Sequence, residues 1–205
     1  MKKTLKVLGL LVVAAAMFTG CKKDTDDGPR DIAKPLFDES ELTVNATSFE
    51  LENAKWTIRQ VDADDEGIQR EGAEITCSIT STGDPDTSVD FDFVATGIVE
   101  APGELNSTQK EMLEAVGYTV SGKTASYCYE VNKKKYDELC EKYKNVSELD
   151  PTDHDLMAAL RVTGMLDTIG GLDSDDFDSI KTNADKSKYY ATNHHGEKWY
   201  FSKVQ

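Results

Sequence analysis

The sequence predicts an α+β fold in which a mainly antiparallel sheet carries about three helices on one face. Three observations predict it. Stretches that alternate apolar and polar residues outnumber stretches of helical periodicity, strands and helices do not follow each other in a regular βαβ order, and no segment repeats another. The fold is expected to be one domain over residues 41–205, behind a signal of residues 1–20 and a tether of residues 21–40.

Taken in order, the period-two stretches are Leu42 to Leu51, Ala54 to Val61, Ala73 to Ser81 and Val89 to Ala95. In the last, Val89, Phe91, Phe93 and Ala95 would point inward while Asp90 and Asp92 face water. The intervening "TSTGDPDTS" has the Gly, Asp and Pro content of a hairpin connection. A short helix is predicted next, capped by Thr108 with Glu111 three residues on, holding Met112, Leu113 and Val116 on one side and stopping at Gly117. A hairpin, "YTVSGKTASYCYEV", leads to a second helix capped by Asn132 and running to about Lys144. Asp150-Pro151 opens a third, from about Thr152 to Ile169. After the acidic loop "GGLDSDDFDS", a last hairpin pairs "KYYAT" with "EKWYFSKV" across "NHHG".

The first thirty residues carry a different message. Lys2, Lys3 and Lys6 precede an apolar run from Val7 to Phe18. As a helix that run would span about 18 Å, short of the roughly 30 Å hydrocarbon core of a bilayer, which suits a secretory signal and not a membrane span. It ends in Phe18-Thr19-Gly20-Cys21, which resembles the lipobox of bacterial lipoproteins. The resemblance covers residues 1–21 and identifies a processing class. It implies that the Cys21 thiol receives a diacylglyceryl group, that cleavage falls before it, and that the new amino terminus is acylated. Two or more acyl chains, at about 0.8 kcal/mol per buried methylene, make a stable anchor. Cleavage after Ala14-Ala15-Ala16 is the alternative, and would leave Cys21 a plain thiol. Lys22 stands where an aspartate would favour inner-membrane retention, so the resemblance implies the outer membrane. The cluster Asp24, Asp26 and Asp27 resembles acidic tethers that direct some lipoproteins to the cell surface.

Without the signal the chain has 20 basic against 38 acidic residues, a formal charge of −18. Nucleic acid is therefore excluded as a partner, since phosphate binding needs a basic footprint, and a protein or ligand partner is expected to be neutral or basic. With Cys21 lipidated, Cys77, Cys128 and Cys140 remain, enough for one disulfide. Cys128 and Cys140, close in sequence, are the expected pair.

Several motifs suggest chemistry that their context denies. Gly117 to Thr124 fits the nucleotide-binding P-loop pattern, yet a helix precedes it and a strand-like run follows, the reverse of a working P-loop. Gly122-Lys123 therefore reads as a hairpin turn, and no nucleotide is expected. "DADDEG", residues 62–67, begins like a calcium loop but places Ala73 where the twelfth-position glutamate belongs, and "DSDDFD", residues 173–178, has Asp178 in place of the turning glycine. His154, His194 and His195 share no ligand spacing, so neither metal nor cofactor is expected. No nucleophile motif is present. The function expected is a non-enzymatic binding module of unknown ligand, anchored outside the cytoplasm. The alternative is an extracytoplasmic enzyme with a carboxylate site. For the binding surface the sequence offers Trp199 and Tyr200 in an aromatic terminal hairpin, where alternation would leave one of them away from the core.

Overall fold

A computed structural model describes residues 32–63, 69–81 and 83–205. Within them nine strands form one antiparallel sheet. In chain order these are β1 (Val44–Asn45), β2 (Ala54–Ala63), β3 (Gln69–Ile79), β4 (Asp92–Glu100), β5 (Thr119–Ser121), β6 (Thr124–Asn132), β7 (Phe177–Thr182), β8 (Lys188–Asn193) and β9 (Lys198–Lys203). Their order across the sheet is β1-β7-β8-β9-β2-β3-β4-β6-β5. The three helices are α1 (Ser107–Ala115), α2 (Lys133–Tyr143) and α3 (His154–Gly170).

The connection from β6 to β7 has to travel from near one edge of the sheet to near the other. It does so as α2 and α3, which pack over one face, here called the front. Trp56, Ile58, Ile75, Phe93 and Phe201 point into that core from the sheet, and Leu156, Val162, Leu166 and Ile169 meet them from α3.

The expectation of an α+β fold with about three helices covering one face is corrected. The chain is mostly a nine-stranded sheet, and its helices do not form a common layer. α1 buries no residue and leaves Met112 66% exposed, and α2 buries only Leu139. The cap of α1 also differs. Asn106 and Gln109 close a reciprocal capping box two residues before the Thr108 and Glu111 expected from sequence. Asn132 caps α2 as its position predicts.

Residues 32–42, the first nine of which were expected in a loose tether, lie across the back of the sheet as an irregular strap. Ile32 is fully buried, and a Cβ on Gly72 of β3 would come within 2.4 Å of the Ile32 carbonyl oxygen. Glycine is required there because the two backbones touch. Beneath the strap, buried Arg59 meets Glu74 at 2.7 Å through Nε and 2.5 Å through Nη2, and its Nη1 donates to the Lys34 carbonyl at 3.0 Å. Leu42, Val61, Tyr190 and Tyr200 form a second apolar cluster on this back face, with Leu36 and Phe37 above it.

The stretch from Leu42 to Leu51 was expected as one strand, and only Val44–Asn45 pairs. Leu42 packs in the back cluster whereas Leu51 is in the front core, so the segment wraps the sheet edge. Its alternation reflects burial on two different faces. Val89 was expected inward but is exposed, because β4 begins only at Asp92.

Candidate functional site

Asp150 accepts the Thr152 amide at 2.9 Å and so forms the turn before α3. Asp153 caps that helix through the Leu156 amide at 3.2 Å and accepts the Tyr143 hydroxyl at 2.6 Å. The Tyr143 bond, with the Leu156 amide, holds the Asp153 carboxyl below its ordinary range. The end of α2 and the start of α3 are thereby tied together. Farther along, the Tyr136 and Thr163 hydroxyls meet at 3.0 Å.

The helix fixed in this way does not bury all its apolar surface. Met157, Leu160, Arg161, Gly164, Met165 and Thr168 recur three and four residues apart, a single stripe of α3. Together with Gln60 and Ala73 on the sheet, and Leu149 and Pro151 on the preceding loop, they line an open groove of about 600 Å³. Leu149 is 54% and Leu160 39% exposed, so the groove presents large apolar side chains to water. Gly164 widens it: a Cβ there would meet nothing within 4 Å.

Around Arg161 the groove turns polar. Arg161 Nη2 donates to Glu71 at 3.0 Å and to the Tyr127 hydroxyl at 3.2 Å. Tyr127 lies so close over β4 that a Cβ on Gly97 would fall 2.0 Å from its ring. Tyr118 and Tyr129 flank that ring at centroid distances of 5.5 and 5.4 Å. Burial pushes the Tyr118 and Tyr129 phenols up to about 12, and that of Tyr127 higher still. All three are neutral at neutral pH, and the Tyr127 hydroxyl accepts from Arg161. A smaller cavity of about 80 Å³ sits here, lined by Asp62, Glu71, Glu197, Arg161 and Tyr127. It shares Gln60, Ala73 and Arg161 with the apolar groove, so the two are continuous.

The residues singled out from sequence lie elsewhere. Trp199 is 2% exposed in the front core, and Tyr200 is fully buried in the back cluster. The expected aromatic binding surface at Trp199 and Tyr200 is corrected, because the strap covers the face that Tyr200 occupies. Cys21 lies outside the described residues, as do residues 64–67 of the 62–67 acidic loop. The expected Cys128–Cys140 bridge is also corrected. Cys77 and Cys140 are free thiols, so Cys140 does not bridge Cys128. Burial pushes the Cys77 thiol up to about 12, so it is an inert core group. In the P-loop lookalike, Gly122 adopts φ +60 between β5 and β6 and Lys123 pairs with Glu100, which is the hairpin turn that the context indicated.

Comparison with models of protein families, with curated proteins and with solved structures finds no match to this chain. Function therefore rests on the geometry of the site.

The acidic loop 173–178 has a structural role on the far side of α3. His194 Nδ1 lies 2.6 Å from Asp178 and Nε2 lies 3.0 Å from the Asp175 carbonyl. Both neighbours are acceptors, so only the doubly protonated ring donates to each. The Asp178 bond, then the Asp175 carbonyl, raises the His194 pKa above its ordinary value of 6.5. The stabilisation is therefore fully present below the unfolded value and is lost as pH rises through the folded one. NMR titration of His194 should give a pKa above 6.5, returning toward it in Asp178→Asn. An unshifted His194 would contradict the clip.

Proposed function

We propose that the protein is a lipoprotein anchored through Cys21 outside the cytoplasm, in the outer membrane, and that its body is a non-enzymatic binding module. The observation that carries the binding reading is the open apolar groove along α3, with exposed Leu149 and Leu160 and a few polar groups gathered beside Arg161. Concave apolar sites with a small set of orienting polar groups are the usual form of a ligand site. Its chemistry favours holding over reacting. Glu71 is engaged by Arg161, and the neighbouring phenols are neutral at working pH. A carboxylate enzyme would need two acidic groups facing each other across the substrate. The apolar groove itself has Arg161, Gln60 and Thr168 as its polar side chains, and the carboxylates Asp62, Glu71 and Glu197 lie together in the small niche beside it.

Methionine methyl NMR provides the test, because Met157 and Met165 line the groove and Met112 lies exposed on α1. The full chain in zwitterionic nanodiscs is titrated with a capped pentapeptide of four apolar residues ending in glutamine amide. Met157 and Met165 should shift saturably while Met112 does not. Gly164→Phe, which extends a ring into open space, should remove the shifts without lowering the melting temperature. If the two groove methyls never move, or if they move equally in Gly164→Phe, the groove is not the ligand site.

A further inference from the structure

The groove and the polar niche beside Arg161 differ in charge, and that difference names the ligand. The geometry points to a peptide segment of a partner protein that lays apolar side chains along α3 and carries a lysine or arginine, whose cation enters the niche beside Asp62 and Glu197. The inference rests on the groove being the binding site. The stripe from Met157 to Thr168 covers about 16 Å of helix, the length of about five extended residues. Within that stripe Arg161 opens onto the small cavity, which has three carboxylates, Asp62, Glu71 and Glu197, against this one cation. Arg161 already donates to Glu71, so that pair is internally compensated. Asp62 and Glu197 then set the sign of the niche as negative. At about 80 Å³ it accepts the head of one side chain and not a second apolar group. A cationic end placed there replaces water at two carboxylates, while an anionic end would meet both at close range. The acidic body, with a formal chain charge of −15, steers the same partners toward the surface.

The test uses three matched pentapeptides with identical apolar residues, ending in lysine, glutamine or glutamate amide, titrated against the full chain in zwitterionic nanodiscs. Met157 and Met165 methyl shifts again give the affinity. The lysine peptide should bind about tenfold more tightly than the glutamate peptide, with glutamine between, and the gap should shrink as salt is raised. The double variant Asp62→Asn with Glu197→Gln should bring the three affinities together while leaving that of the glutamine peptide unchanged. If all three peptides bind alike to the wild type, the groove reading survives and the cationic partner is wrong. If none of the three peptides binds, both readings fall. A preference for lysine that persists in the double variant would likewise overturn the assignment to Asp62 and Glu197.

Discussion

Tyr200→Ala is expected to cost about 3 kcal/mol or more of folding stability, the range for truncating a large side chain in a core. Tyr200 is fully buried, with Phe37 edge-on to its ring at 5.3 Å and Tyr190 at 5.2 Å. Its hydroxyl donates to Glu39 at 3.0 Å, across the strap. Truncation empties the centre of the back cluster and releases the residues that cover it, so the loss combines a cavity with a detached segment. In a chain of this size that is a fall of roughly 10 °C in melting temperature. Tyr200→Phe keeps the ring and removes one hydrogen bond, which should cost about 1 kcal/mol. Urea unfolding of the two variants separates the contributions. Stability of Tyr200→Ala within about 0.5 kcal/mol of wild type, as for an ordinary surface change, would show that Tyr200 is not core.

The terminal hairpin also shows where reading from sequence ran out. Alternation places Trp199 and Tyr200 on opposite faces, and they do lie on opposite faces. What alternation could not reveal is that residues 32–42 return to cover the second face, since that contact joins positions about 160 apart in the chain. The β3–β4 pairing and the β5–β6 turn were legible because local turn chemistry and period-two burial agree there. The extent of β4 was not, because Gly97 weakens the strand signal while serving to admit the Tyr127 ring.

The groove was illegible for a related reason. From Leu156 to Ile169, α3 is apolar on nearly every side, so periodicity does not distinguish the stripe against the sheet from the one facing water. That surplus was itself the available signal, since a helix greasy all round and lying at the surface has a second face to cover. The contact of Glu71 with Arg161 spans 90 residues and has no local signature.

Cys21→Ser is expected to abolish lipid attachment altogether. The substitution removes the sulfur that receives the diacylglyceryl group, and with it the step that precedes cleavage in the class that Phe18 to Cys21 resembles. The variant should accumulate as precursor with residues 1–20 attached, and metabolic palmitate should label the wild type alone. The effect is all or none because the anchor is the acyl chains, whose methylenes each contribute about 0.8 kcal/mol in the bilayer.

The central claim is that Cys21 is the lipid-bearing first residue of the mature protein, and the mass of the amino-terminal peptide tests it most directly. Mass spectrometry of protein extracted from membranes should find that peptide beginning at Cys21, with acyl chains on its sulfur and amino group. A thioether to lipid and a disulfide each consume the same sulfur, so the two exclude one another. An amino-terminal peptide with no added lipid, or Cys21 recovered in disulfide linkage to Cys128, would contradict the account.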